Sequence, residues 1–233
     1  MSDHIVKAFD DELANLKTQI AQMGGLAEQE LDQAIEAITR RDAMLADRVI
    51  ASDALELAIE ERAILVIAKR SPVASDLREI MVAIRIAADL ERIGDFAKNI
   101  AKRTHAMNED YPRSVIAGLT RMGKLALGQL QDVLDAYIQR NDTKALEVWR
   151  RDEDLDALYN SIFRELLTYM MEDPRTIGLC THLLFGAKNI ERIGDHCTNI
   201  AENVWYLVHG RPLTEERPKK DITSTTPVSK LTE

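Results

Sequence analysis

Residues 87–103 read AADLERIGDFAKNIAKR, and residues 187–203 read AKNIERIGDHCTNIAEN. Nine of these seventeen positions are identical, with ERIGD unbroken, at an offset of 100 residues. Upstream, Met23-GGLAEQELDQAIEA aligns with Met122-GKLALGQLQDVLDA at an offset of 99. The two blocks occur in the same order in both halves. Self-similarity of this kind marks a tandem duplication, and it decides the architecture before any single element does.

The repeated unit is helical. Leu125, Leu130, Val133, Leu134, Tyr137 and Ile138 follow the period of an α-helix. Apolar residues make up 45% of the 233, but only 5% are aromatic, and good helix formers dominate. Before Gly210 the chain has only three prolines, Pro72, Pro112 and Pro174. Because proline ends helices, the stretches between them leave room for long ones. In the first half the breakers predict helices from about Asp3 to Arg40, Asp42 to Lys69, and Ser75 to Met107. Ser71 or Ser75 serves as a candidate cap for the third. After Asn108-Glu109-Asp110-Tyr111-Pro112, the second half repeats the plan from about Arg113 to Arg140, Asp142 to Met171, and Arg175 to His209.

The fold class is therefore all-α, with six helices in two tandem three-helix bundles, residues 1–107 and 113–210. The bundles should pack end to end or side by side. After Gly210 the composition turns to Pro, Lys, Thr and Ser, so 211–233 read as a flexible tail.

Charge and cysteine content narrow the function classes. A net charge of −9 disfavours general nucleic-acid binding and suits cations or a basic protein surface. Cys180 and Cys197 have no metal-binding spacing and read as two small buried thiols of a reduced compartment. The N-terminus lacks a basic region followed by an apolar stretch, and no run approaches the ~18 apolar residues needed to span a bilayer. The expected location is cytoplasmic. No basic cluster stands out near a helix N-terminus, so the sequence offers no support for phosphate binding by the protein itself.

The informative chemistry lies on the third and sixth helices. Leu77, Met81, Ile84 and Ala88 share a face that continues through Glu91 and Asp95, and Leu184 leads in the same way to Glu191 and Asp195. A second apolar stripe, Ile86, Leu90, Ile93, Ala97 and Ile100, lies on the other side of the third helix. That helix is thus expected to be sandwiched between neighbours. Acids four apart cost a helix roughly 0.2–0.5 kcal/mol, and Gly94 or Gly194 between them adds about 0.5–1 kcal/mol relative to alanine. A local rule broken twice, at matching places, points to a site. Paired carboxylates can chelate a hard cation such as magnesium, manganese, calcium or ferrous iron, and the glycines would let a neighbouring helix come close. The other reading needs no metal: Arg92 and Arg192 pair with the neighbouring acids, and the duplication preserves ancestral packing. Asp152 with Asp156, and Glu56 with Glu60, could complete a site begun on the adjoining helix.

With these motifs assembled, the chain resembles the PhoU family. The resemblance rests on the repeated ERIGD, on Ala74-Ser75-Asp76-Leu77-Arg78 after Pro72, and on LLTYMMEDPR at 166–175, and it covers the chain to about Gly210. It implies a dimeric protein of two three-helix bundles that binds metal ions (iron, zinc, manganese or magnesium) through E(D)xxxD motifs. It implies a negative regulator of the phosphate-starvation response. Such a regulator links the ATPase subunit of the phosphate ABC transporter to a sensor histidine kinase when phosphate is plentiful, touching the membrane only through these partners. By motif, Glu91 with Asp95, Glu191 with Asp195, and Asp152 with Asp156 would be ligands. Glu56 and Glu60 are the counterparts in a segment about one helical turn short after Asp53. A rival class is a di-iron carboxylate enzyme, which uses Glu-x-x-His on inward helix faces. His196 and His182 both point away from Glu191 on the helix, which disfavours that pattern. A metal-free structural scaffold is the third possibility.

Overall fold

The computed structural model describes residues 2–52, 56–70, 74–107 and 113–215. In chain order its helices are α1 (Ser2–Arg40), α2 (Ala43–Ile50), α3 (Glu56–Arg70), α4 (Ala74–Thr104), α5 (Arg113–Gln139), α6 (Asp142–Arg150), α7 (Asp152–Glu172) and α8 (Ile177–His209). A 3-10 turn, Pro174–Thr176, precedes α8. There is no strand among the described residues. The expected all-α duplication is present, with the second and fifth helices each broken in two.

A side chain from a neighbouring helix bonds to a backbone carbonyl at each break. In α6–α7 the Arg151 carbonyl accepts from the Gln129 side-chain amide at 3.0 Å and from the Asp154 N–H at 3.2 Å. With that acceptor diverted from the regular i to i+4 bond, the helix turns at Arg151. Ninety-nine residues earlier, the Ser52 carbonyl accepts from Lys98 Nζ, just past the end of α2. No proline or glycine marks either place, so the sequence reads straight through.

The preceding corners are also duplicated. Arg41 and Arg140 carry φ of 58° and 52°, left-handed values usually given to glycine. Asp42 and Asn141 follow, their N–H groups bonding back to the Ala37 and Ala136 carbonyls at 3.0 and 2.9 Å. Their side chains then cap the next helices, accepting from the Leu45 and Lys144 N–H, both at 3.0 Å. The expected Ser75 cap is not formed: α4 already starts at Ala74, and the Ser75 hydroxyl lies 3.3 Å from Asp76 instead. Ser71, the linker 108–112 and residues 216–233 of the expected tail lie outside the described residues.

Four long helices make the centre. α1 packs on α4, α4 on α8, α8 on α5, and α5 on α1, closing a ring; α2 and α3 flank α1 and α4, while α6 and α7 flank α5 and α8. The halves therefore lie side by side. Arg78 meets Tyr206, Asp89 meets His196, and Arg103 meets His182, so α4 and α8 run antiparallel along most of their length. The predicted second stripe of α4, from Ile86 to Ile100, is the core. The first stripe is different: Leu77, Met81 and Ala88 are exposed, so α4 is covered on three sides and open along this one. Each fully buried Ile or Leu contributes roughly 1.5–3 kcal/mol. No helix among the described residues is long and apolar enough to cross a membrane.

Across the α1–α5 contact, each half offers a glycine to the other. A Cβ on Gly24 would stand 2.7 Å from the Leu134 side chain, and one on Gly123 would overlap three atoms of Ile35. Gly128, one and a half turns along the same helix from Gly123, has nothing within 4 Å of such an atom. Gly128→Ala is expected to stabilise the protein by about 0.5–1 kcal/mol through helix propensity. Gly123→Ala should destabilise it by about 1–3 kcal/mol through overpacking against a stiff β-branched side chain. Urea unfolding of the two variants beside wild type measures both signs.

Candidate functional site

The acids of the second half lie on α7 and α8, two helices that pack together. Asp152 and Asp156 project from the first turns of α7, and Glu191 from the middle of α8. The three residues are only 2%, 3% and 5% exposed. Asp195 lies one turn further along α8, half-buried. Gly194 admits the contact: a Cβ there would overlap Leu155 of α7 and stand 3.6 Å from Asp152 Oδ1. The Thr198 hydroxyl sits 3.3 Å from the same Asp152 oxygen and 3.1 Å from the Gly194 carbonyl. Lys188 Nζ lies 2.9 Å from Glu191 Oε2 and 4.9 Å from the centre of the Tyr159 ring. The positive end of α7 also favours an acid at Asp152.

A residue not singled out from the sequence completes this cluster. Gln129 of α5 is 1% exposed; its amide nitrogen holds the Arg151 carbonyl, and its Oε1 is buried without a donor. That oxygen is 3.4 Å from where a Cβ on Gly194 would be. A buried acceptor left unpaired costs about 1–3 kcal/mol. The signal was present in the second repeat block, where Gln129 stands opposite Glu30.

Arg151 anchors the turn that presents Asp152. Its guanidinium donates to Asp132 Oδ2, and Lys144 Nζ approaches Asp132 Oδ1 at 3.2 Å. Burial pushes the Asp132 carboxyl up, but these two cations outweigh it and hold the group below its ordinary value.

The first half is built differently. Glu91 and Asp95 are half-buried to exposed and flank Arg92, at 3.6 and 3.9 Å, in a loose surface pairing that requires no metal. Arg192 leaves its own acids and stacks over Phe96 of the other half, 4.8 Å from the ring centre. Glu30 is 8% exposed, with Oε2 only 2.8 Å from where a Cβ on Gly94 would stand. Glu56 and Glu60 lie on α3, and their side chains are outside the described residues.

For a cation the second cluster has the right chemistry: buried carboxylates and an orphaned amide oxygen, all hard donors. Its arrangement is another matter. Among the described residues no group of three or more His, Cys, Asp or Glu stands placed to hold a metal ion, so an ion would have to draw these side chains inward. Neither imidazole takes part. His196 Nδ1 is 2.8 Å from Asp89 Oδ1 across the halves, and His182 lies 3.5 Å from Arg103. The Cys197 thiol, fully buried beside Asp152 and Asp89, is pushed well above its ordinary range, first by burial and then by the two acids.

Fold and acids together define a class: a duplicated all-helical protein carrying an ExxxD pair on the last long helix of each half. The family model described as the PhoU domain matches twice, over residues 20–104 and 119–204. The chain belongs to the PhoU family. It is 56% identical to the phosphate-specific transport system accessory protein PhoU homolog of Rhizobium meliloti (strain 1021), over 95% of this chain and 96% of the relative. With the phosphate-specific transport system accessory protein PhoU of Escherichia coli (strain K12) the identity is 41%, over 91% and 89% of the two chains. The crystal structure of PhoU from Pseudomonas aeruginosa superposes with a TM-score of 0.83 at 36% identity, covering 87% of this chain and all of the other.

Asp132 gives a pH-dependent test of the Arg151 anchor. A carboxyl held below its unfolded value contributes stability that is full above that value and is lost as pH falls through the folded one. Asp132→Asn should therefore cost up to about 1 kcal/mol at neutral pH. The difference from wild type should shrink as pH falls through the lowered value of the folded Asp132 carboxyl, and vanish once both side chains are neutral. Denaturant titrations at neutral and acidic pH read it directly.

Proposed function

We propose that this chain is the accessory regulator of a phosphate-specific transport system. In this reading it restrains the phosphate-starvation response when phosphate is plentiful, as an adaptor between the transporter's ATPase subunit and a sensor histidine kinase. The observation that carries the reading is the 56% identity to a protein named as a phosphate-specific transport system accessory protein, sustained over 95% of this chain. An adaptor works through surfaces and needs no reacting group, which agrees with two buried cysteines and two histidines engaged away from the acids. It works on the cytoplasmic side, reaches the membrane only through its partners and pairs with a second copy of itself.

The acidic cluster of the second half takes a hard divalent or trivalent ion, with iron, manganese, magnesium and zinc as candidates. Asp152, Asp156, Glu191 and Asp195 would hold it and Gln129 Oε1 would turn toward it; the ion would neutralise buried charge and lock α7 onto α8. Glu91 and Asp95, with Glu56 and Glu60, form the weaker counterpart.

Tagged protein drawn from phosphate-replete cells should recover the transporter ATPase or the kinase. A quadruple variant with Glu91, Asp95, Glu191 and Asp195 changed to Ala should recover less while keeping its helical circular dichroism. Recovery of neither partner by wild type sinks the adaptor reading. For the ion, equilibrium dialysis with metal analysis should show Asp152→Ala/Asp156→Ala losing more bound metal than Glu91→Ala/Asp95→Ala. Equal losses, or no metal in wild type, would remove the asymmetry between the sites.

A further inference from the structure

Two positions beside the helix breaks differ between the halves in a matched way. Within the quoted repeats Lys98 stands where the second half has Thr198, and Glu30 stands where it has Gln129. In the second half the Arg151 carbonyl is held from α5 by the neutral Gln129 amide. Thr198 meets Asp152, the next residue along the chain. In the first half the equivalent Ser52 carbonyl is held from another side, by the Lys98 ammonium of α4. Glu30 is thereby released from the task that Gln129 performs, yet its carboxylate stays buried over Gly94 as the Gln129 amide is over Gly194. The first half thus carries an acid and a base where the second carries an amide and a hydroxyl. The exchange leaves the net charge unchanged.

Burial gives the exchange its reason. A carboxylate as enclosed as that of Glu30 needs positive charge close by. Two cations supply it. Arg48 lines the same small cavity of about 190 Å³ as Glu30 and Ser52, and Lys98 is bound to the Ser52 carbonyl. Where the second half offers an incoming ion the Thr198 hydroxyl and the Gln129 oxygen, both neutral acceptors, the first half presents an ammonium. An ammonium has no lone pair to give a metal ion and repels it, the more strongly for being half-buried.

We propose that Lys98 is a resident cation that keeps metal ions out of the first half, and that threonine at the matching position leaves the second half open to one. The inference rests on the ion reading above and supplies the cause of the asymmetry given there. In the full chain carrying Asp152→Ala/Asp156→Ala, equilibrium dialysis against manganese with metal analysis should find little bound ion. Adding Glu30→Gln/Lys98→Thr, which copies the second half without changing net charge, should tighten manganese binding at least about tenfold. Adding Glu91→Ala/Asp95→Ala to that protein should abolish the gain. Lys98→Arg in place of Lys98→Thr keeps the charge and should give none, whereas Lys98→Met keeps the stem without the charge and should give most of it. Helical circular dichroism and the melting temperature establish that each variant is folded. No gain from the threonine or methionine exchange in folded protein overturns the proposal. An equal gain from arginine, or a gain that survives Glu91→Ala/Asp95→Ala, overturns it as well. The ion reading fails separately, if the intact Asp152 and Asp156 of the wild type add no manganese; the gain from the exchange still decides the role of Lys98.

Discussion

Where Gly24 meets Leu134 and Gly123 meets Ile35, α1 and α5 approach closely because each backbone yields its side-chain space to an aliphatic group of the other. Interiors are close-packed, so this approach sets the spacing of everything attached to the two helices. With α1 and α5 held antiparallel, α4 and α8 are brought together antiparallel on the far side of the ring, and the shorter helices can only flank. The glycines stand at the same place in both repeats, which makes the contact reciprocal and gives the molecule an approximate two-fold axis. Gly194, against Leu155, applies the same device within the second half and presses the acidic faces of α7 and α8 into contact.

The helical class, the duplication and the six long segments were legible because periodicity and breakers act locally. The choice between end-to-end and side-by-side packing stayed open, although the decisive glycines lay inside the quoted repeat block, since their partners are distant in sequence. The two helix breaks were invisible for a related reason. What turns the chain at Arg151 is a side chain of α5 taking a carbonyl of α6–α7, a tertiary hydrogen bond in a stretch of good helix formers. Likewise Arg41 and Arg140 adopt left-handed backbone where composition alone would ask for glycine. Of the acids, Asp152, Asp156 and Glu191 are buried as a site would require, whereas Glu91 and Asp95 flank Arg92 near the surface. Spacing treats ExxxD alike in both halves; burial does not.

That divergence is the main departure from symmetry. Glu30 and Gln129 occupy matching positions under matching glycines, one charged and one neutral. Phe96 and His196 match as well, and they touch, with ring centres 5.5 Å apart beside the axis. His196 adds what phenylalanine cannot, a polar tie to Asp89 of the other half. Arg92 stays with its own acids, while Arg192 crosses to stack on Phe96. The two halves keep one scaffold and differ in the polar residues mounted on it, which lets one set be tuned without disturbing the other.

The ring of central helices also bears on how the chain is made. α1 and α4 can pair as soon as the first half leaves the ribosome, but the flank of α4 that belongs against α8 must wait for the last long helix. Until then the side chains of α4 that meet α8, Phe96 among them, lack their cover, and the nascent chain carries an open seam for about a hundred residues of synthesis. A chain cut short within α8 is left with that seam open, a ready substrate for chaperones and proteases, and only completion of the final helix seals it.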